Sequence, residues 1–309
     1  MRMQAATKNI SFGKHVSTGL LLAIFGAIAF GGKAIIVKLA YRHGVDAVTL
    51  IMYRMLFALP IFALMAWWAG RGKAALTRKD WLGVLGLGFT GYYLSSFLDF
   101  LGLVYISASL ERLILYLNPT LVMLLAWVLF QRRVTLRQAS GTVISYSGVV
   151  LVFGHELAQQ SLGQRADTAW GALLVVLGAI SYATYLVYSG EIVKRLGSLR
   201  LVGLASTVAC LCCILQFGLL RPMSAALVAP EVIWLSVLNA TLCTAVPVLL
   251  VMMAIERIGA SVAAQAGMVG PMSTILMGVV ILGEPFTAWV AAGTVLVIAG
   301  IFVFSRKKI

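Results

Sequence analysis

Long apolar stretches alternate along the chain with short polar segments. Ten of the stretches approach or exceed the roughly 20 residues that a helix needs to cross a bilayer. They are residues 17–37, 47–70, 81–104, 107–130, 137–154, 170–189, 200–220, 232–255, 260–282 and 287–305. The pattern therefore predicts an all-α integral membrane protein with ten transmembrane helices. Residues 1–16 are predicted to form an N-terminal segment, 155–169 a linker and 306–309 a basic tail.

Composition excludes a soluble domain. Hydrophobic residues make up 61% of the chain and charged residues 11%, against roughly 45–50% and about 25% in soluble proteins. The net charge of +14 comes from clusters between apolar stretches, which is the pattern of membrane topology and not of a nucleic-acid-binding face. The four cysteines lie inside apolar stretches, and the three histidines lie at stretch ends or in loops. We therefore predict no disulfide framework, metal site or other cofactor.

Lys and Arg residues are divided unequally between the two sets of alternate loops. The set that includes both termini holds seventeen of the 24, and the opposite set holds five. Cytoplasmic loops carry the excess of positive charge in membrane proteins. The bias therefore predicts that both termini are cytoplasmic and that the protein resides in the cytoplasmic (inner) membrane. An even number of helices is required for this, in agreement with ten.

The sequence repeats itself at an offset of 152 residues. GLLLAIFGAI, which starts at Gly19, aligns with GALLVVLGAI, which starts at Gly171, and six of the ten positions are identical. The same offset places Pro119 on Pro271, and Gly148 on Gly300. Matches between Gly or Pro residues are informative because both are selected for backbone reasons.

Each repeat contains five helices, so the second copy must begin on the opposite side of the membrane. The prediction is two inverted five-helix repeats, 17–154 and 170–305. Inverted repeats are typical of transporters that work by alternating access around a site near the bilayer midplane.

Several motifs resemble one known family. The first helix is rich in glycine and ends in Phe30-Gly31-Gly32-Lys33, and Arg54 follows in the second helix. NPTLVMLLAWVLF starts at Asn118, and GPMSTILMGVVILGEPFT starts at Gly270. In this order, and across essentially the whole chain, these features resemble the EamA-like branch of the drug/metabolite transporter superfamily.

The resemblance implies ten helices around a central cavity and the export of metabolites or amphiphilic compounds. In that family a helix with a proline leads into a short loop with Glu, and Thr begins the next helix. Glu284 and Thr287 match this pattern in the second repeat. The first repeat has Gln131, Arg132 and Arg133 where Glu is usual, so the role of that Glu does not carry over to it.

Ionisable residues inside the membrane are costly and usually functional. Five of them lie at similar depth, about 6–10 Å from the outer helix ends at 1.5 Å of rise per residue: Lys33, Arg54, Asp99, Glu111 and Arg112. The aligned positions of the second repeat carry no charge. This asymmetry favours recognition or gating over a scaffold role, and Asp99 is the candidate for a protonation switch. The alternative is that Lys33 and Arg112 extend to the interface and Glu111 caps a helix.

Aromatic and amide side chains inside the helices would suit an amphiphilic ligand, although interface belts also place tyrosines near helix ends. The main candidates of this kind are Tyr92, Tyr116, Asn118, Tyr185 and Gln265, and the same class includes Tyr93, Tyr182, Tyr188 and Asn239. Pro119 and Pro271 are expected to kink helices 4 and 9, either as hinges or as static bends.

The leading functional hypothesis is a secondary transporter that exports a small metabolite, such as an amino acid, or an amphiphile. The chain has no GxxxxGK[ST] loop for ATP, so proton exchange is the energy source to test. A membrane enzyme is disfavoured because no HExxH motif, nucleophile elbow or intramembrane His is present. A channel or lipid scramblase is the main alternative. The expected partners are a small-molecule substrate and lipids, not nucleic acid, and the sequence leaves monomer and homo-oligomer both open.

Overall fold

The computed structural model describes residues 2–131, 134–251, 253–254, 257–258 and 269–305. Within these ranges the chain forms ten membrane-crossing helical segments and no β-strand. Eight of the segments are long and apolar enough to span a bilayer, and two near the C-terminus are shorter apolar helices. The predicted all-α fold with ten transmembrane helices is confirmed.

The first five helices form the first repeat. They are α1 (Arg2–Tyr41), α2 (Ala47–Gly70), α3 (Arg78–Gly102), α4 (Ala108–Phe130) and α5 (Leu136–Ala158). The second repeat contains α6 (Leu162–Leu196), α7 (Ser198–Leu220), α8 (Pro230–Val251), α9 (Val269–Met277, continued by Gly278–Leu282) and α10 (Ala288–Ser305). Ten spans place both ends of the chain on one side of the membrane, here called the terminal side. The opposite side is called the distal side.

The predicted linker 155–169 is mostly helical. Helix α5 continues to Ala158, and α6 already begins at Leu162. The start of α6 is stabilised by a capping box in which Ser161 and Gln164 satisfy each other's backbone N–H groups. Hydropathy did not predict the first two turns of α6 because their residues are polar and precede the apolar stretch.

Polar side chains at the helix starts explain where the spans begin. Asp46 accepts hydrogen bonds from the backbone N–H groups of Val48 and Thr49 at the start of α2. Thr135 and Thr287, which are equivalent in the repeat, cap α5 and α10. A residue at this position satisfies backbone donors that have no partner within the helix.

Asp46 also connects two helices on the distal side, since Arg221 Nε at the end of α7 lies 3.1 Å from its carboxylate. Burial acts to raise the pKa of Asp46, but the hydrogen bonds from Thr49 and Arg221 outweigh it and lower the pKa below its ordinary value. The group is therefore ionised at neutral pH.

The two repeats are joined by matching pairs of helices. Helix α5 packs extensively along α10, and α2 packs extensively along α7. Helix α1 packs on α8 and α9 of the second repeat, and its equivalent α6 packs on α3 and α4 of the first. The first helix of each repeat therefore packs against helices of the other repeat.

Glycine positions reveal the symmetry between α5 and α10. A β-carbon on Gly148 would lie 2.6 Å from the carbonyl oxygen of Gly293, and one on Gly300 would lie 2.6 Å from that of Gly141. Gly148 is equivalent to Gly300 at the offset of 152, and Gly141 is equivalent to Gly293, so the two contacts are equivalent under the repeat. As numbers rise along α5 they fall along α10, so the equivalent helices are antiparallel, and small residues allow their backbones to approach closely.

The axis of this two-fold relationship passes near Ser145 and Val297, which are themselves equivalent positions. The Ser145 hydroxyl donates to the carbonyl oxygen of Val297 at 3.4 Å.

Further local features recur at the same offset. Helix α3 contains a π-helical turn at Gly88–Leu94, and α8 contains one at Thr241–Ala245, which aligns with residues 89–93. Gln131 and Gly283 are also equivalent, and both end their helices in the left-handed conformation with φ of 52° and 74°. The repeat therefore extends to backbone irregularities that hydropathy does not reveal.

The outer surface of the bundle is apolar. Large side chains that face outward include Leu64, Trp68, Leu215, Leu276 and Val280. In water such a surface would be unstable, whereas in a bilayer it contacts lipid tails. The polar groups are instead collected inside the bundle.

Candidate functional site

Four of the five predicted intramembrane charges form one buried cluster. Lys33 Nζ lies 2.5 Å from an oxygen of Asp99 and 3.5 Å from an oxygen of Glu111. Arg112 Nε lies 3.7 Å from the other Glu111 oxygen. We call Lys33, Asp99, Glu111 and Arg112 the charged cluster.

The charged cluster is built entirely from the first repeat. Lys33 comes from α1, Asp99 from α3 beyond its π-helical turn, and Glu111 and Arg112 from the first turns of α4. All four residues are buried, with Arg112 the most exposed at 7% and Glu111 at 0%. Lys33 and Arg112 therefore do not extend to the interface, and Ser107, not Glu111, caps α4.

The charges of the cluster sum to zero, yet its hydrogen bonds are incomplete. Within the described part of the chain, one oxygen of Asp99, both oxygens of Glu111 and Arg112 Nε have no hydrogen-bond partner. Buried polar atoms are normally satisfied, and a buried ion pair adds little stability over an apolar replacement. The cluster is therefore an expensive arrangement for a scaffold and is well suited to exchanging partners.

Arg54 lies apart from the charged cluster. Its Nε donates to Thr244 Oγ1 at 3.1 Å, and its guanidinium lies over the ring of Phe100, 5.1 Å from the centroid. Thr244 belongs to the π-helical turn of α8. The structure does not include Arg54 in the predicted layer of interacting charges, because helical rise gives the depth of a residue but not the direction of its side chain.

A cavity of about 320 Å³ lies between the two repeats. It is called the central cavity, and it is lined by Gly26, Ala27, Phe30, Tyr92, Arg112, Tyr116, Tyr182, Val202, Pro247, Val248, Val251 and Gly270. The lining residues of α1 precede Lys33, which places the cavity on the terminal side of the charged cluster. Arg112 belongs to both the cluster and the cavity wall.

Three predicted candidates line the central cavity: Tyr92, Tyr116 and Arg112. Tyr185 is buried behind the wall, where its hydroxyl lies 3.3 Å from that of Tyr92 and its ring stacks on Tyr182. Tyr182 also lines the cavity. The sequence placed it among the aromatic side chains of the helices but not among the main candidates.

The remaining predicted residues lie outside the cavity wall. Helix α4 is interrupted at Tyr116, and Asn118 donates to the carbonyl oxygen of Leu115 at 2.8 Å. Pro119 occupies the first turn of the second segment of α4, where its missing N–H costs nothing. The expected mid-helix kink is thus a break in the helix.

Pro271 lies in the first turns described for α9. Gln265 falls outside the described residues. The hinge role of the two prolines remains a prediction.

A second polar contact, which the sequence did not predict, lies on the distal side. The Glu284 carboxylate accepts hydrogen bonds from Ala108 N at 2.7 Å and from the Ser109 hydroxyl at 2.6 Å, so a residue of the second repeat caps α4 of the first. Next to it, the Ser107 hydroxyl donates to Glu156 at 2.6 Å. The resemblance pointed to Glu284 but not to its partner.

Replacing Glu284 with Ala is expected to lower the free energy of unfolding by about 1–2 kcal/mol, because the first N–H groups of α4 lose a charged acceptor. Denaturant titration of the purified protein in detergent measures this change. Glu231→Ala is the matched control, since Glu231 is exposed in the first turn of α8. Equal effects of the two substitutions would contradict a cap that joins the repeats.

Comparisons with known proteins agree with this architecture. The sequence profile of the EamA-like transporter family matches residues 17–154 and again residues 169–306. The chain is 29% identical over 286 residues to the uncharacterized transporter YcbK of Bacillus subtilis, covering 88% of this chain and 87% of the relative. It is 25% identical over 296 residues to an uncharacterized transporter of Archaeoglobus fulgidus, covering 94% and 98%.

A crystal structure of a protein with 16% sequence identity superposes on 93% of this chain and 98% of its own, with a TM-score of 0.65. At this identity the likeness shows a shared fold. Because the family profile covers both halves of the sequence, the chain belongs to the EamA-like transporter family and is a membrane transporter.

Proposed function

We propose that the protein is a secondary-active exporter that moves a small metabolite or amphiphilic compound out of the cytoplasm by alternating access. The observation that carries the proposal is the central cavity, which lies between two antiparallel repeats and is bordered by the charged cluster. Repeats related in this way are the usual basis for moving a fixed site between two openings.

The unequal distribution of Lys and Arg supports termini in the cytoplasm of an inner-membrane protein. With this orientation the central cavity lies on the cytoplasmic side of the charged cluster. On the distal side, Val37, Leu50, Ile51, Phe100 and Leu103 belong to one fully buried core. This packing supports assignment of the structure to a state closed toward the outside.

The same distal packing weighs against a channel, since a channel needs a continuous polar path. It favours a carrier, in which the distal helices separate only after the cavity has closed toward the cytoplasm. In that scheme the substrate crosses chemically unchanged.

Counterflow in liposomes tests this proposal. Purified protein would be reconstituted in liposomes that are loaded with unlabelled amino acids, organic acids, nucleosides, sugars or amphiphilic cations. Uptake of the labelled compound would then be followed with and without a pH gradient. A carrier gives saturable uptake of one class that requires the unlabelled compound inside. Acceleration of uptake by the gradient would indicate that transport is coupled to protons. The control variant Arg42→Gln should transport normally, because Arg42 is exposed on the distal side.

Three outcomes would contradict the proposal. Unsaturated leak would favour a channel, movement of phospholipid between leaflets would favour a scramblase, and a chemically altered product would indicate an enzyme.

A further inference from the structure

Resting on the proposed function, we propose that the central cavity binds a small organic monoanion with a flat apolar body and discriminates against amines and zwitterions. The oxyanion of the ligand pairs with Arg112. This assignment replaces the amino acid suggested by the sequence with a compound that has no amino group.

The charge of the cavity wall is the first argument. Among the described residues that line the cavity, Arg112 is the one ionisable group with a formal charge at neutral pH, and the other polar side chains are tyrosines. The acidic members of the charged cluster lie behind the wall, with Asp99 2% exposed and Glu111 fully buried. Among the described wall residues, an ammonium group in the cavity would therefore meet a cation and no carboxylate.

The second argument is that the hydrogen bonds donated by Arg112 are few and long. Its Nη2 has two long hydrogen bonds of 3.4 Å to the carbonyl oxygens of Phe30 and Gly31. Its Nε lies 3.7 Å from Glu111 and has no hydrogen-bond partner among the described residues. A guanidinium has five N–H donors in a planar fork that matches a carboxylate or sulfonate, so Arg112 has capacity for a second anion.

The shape and chemistry of the remaining wall determine the body of the ligand. The aromatic residues Phe30, Tyr116 and Tyr182 line the cavity, and the Arg112 guanidinium lies 6.0 Å from the Phe30 ring centroid. The volume of about 320 Å³ is near the lower end of the roughly 300–1,000 Å³ found for ligand pockets. A single ring system carrying one oxyanion satisfies these conditions.

Glu111 is the internal competitor for this ligand. It is the carboxylate that faces Arg112, and it is also within 3.5 Å of Lys33. Anion binding would draw Arg112 away from Glu111, which would keep Lys33 as its cationic neighbour. Removing the charge of Glu111 should therefore strengthen anion binding, an effect opposite to that of general damage to the fold.

The test uses three ligands with the same phenylethyl body: 3-phenylpropionate, phenylalanine and phenethylamine. Their binding to the purified full-length protein in detergent would be measured by isothermal titration calorimetry. We expect 3-phenylpropionate to bind at least about tenfold more tightly than phenylalanine, and phenethylamine not to bind. Arg112→Gln should weaken 3-phenylpropionate binding by about ten- to a hundredfold, and Arg112→Lys should lose less.

Glu111→Gln should tighten 3-phenylpropionate binding several-fold, and Arg42→Gln should leave it unchanged. The proposal is overturned if phenylalanine or phenethylamine binds as tightly as 3-phenylpropionate, if none of the three binds, or if Arg112→Gln binds the anion normally. Each of these results leaves the exporter proposal standing, because saturable counterflow of another compound class is measured independently.

Discussion

Replacing Lys33 with Met is expected to lower the free energy of unfolding by about 3–5 kcal/mol, the usual cost of removing one partner of a buried ion pair. The substitution leaves Asp99, which is 2% exposed, without the ammonium group that lies 2.5 Å away. Unfolding of the purified protein by SDS, followed by circular dichroism, measures the loss.

The double variant Lys33→Met, Asp99→Leu serves as the matched control. Replacing both charges with apolar groups of similar size is often neutral for stability, so most of the lost free energy should return. If the charged cluster takes part in gating or coupling, transport should be lost in Lys33→Met and should not return in the double variant. Normal counterflow by the double variant would assign the cluster to the scaffold, and failure to regain stability would contradict a simple pair.

Replacing Gly300 with Ala is expected to cost about 1–3 kcal/mol, as overpacking of a close interface usually does. A β-carbon at this position would lie 2.5 Å from the backbone nitrogen of Ser145 and 2.6 Å from the carbonyl oxygen of Gly141. These are backbone atoms of α5, so helices α5 and α10 must separate to accommodate it. The same SDS titration measures the effect.

Gly154→Ala is the control within α5, because no atom of another described element lies within 4 Å of the added carbon. Ala is favoured over Gly in a helix by roughly 0.5–1 kcal/mol, so this variant should be slightly stabilised. If both alanine variants behaved alike, close packing of α5 against α10 would be refuted.

The fold was largely predictable because the bilayer imposes a simple rule on sequence. Ten apolar stretches and a constant offset were sufficient for the helices and the repeat. The cluster of Lys33, Asp99, Glu111 and Arg112 was also predictable, since charges of opposite sign at matched depth stabilise one another in a low-dielectric interior.

The features that could not be predicted depend on the direction of side chains and on contacts between residues far apart in the sequence. Arg54 lies at a depth similar to that of the cluster but contacts Thr244 and Phe100, and the side-chain direction that decides this is not encoded by rise alone. The bond from Ala108 to Glu284 joins residues 176 positions apart. The sequence also could not rank Tyr182 above its neighbour Tyr185, because that choice depends on the packing of α6 against α3.

The π-helical turn of α3 has a consequence for how the charged cluster tolerates changes in chain length. Such a turn accommodates one more residue than the α-helix around it, and one residue of regular helix corresponds to about 100° of rotation. Deleting one residue within Gly88–Leu94 would therefore restore a regular helix and leave Asp99 directed at Lys33, whereas deleting one residue between 95 and 98 would rotate Asp99 by about 100°. The turn is thus a place where α3 can lose a single codon without turning the carboxylate toward another helix or toward lipid.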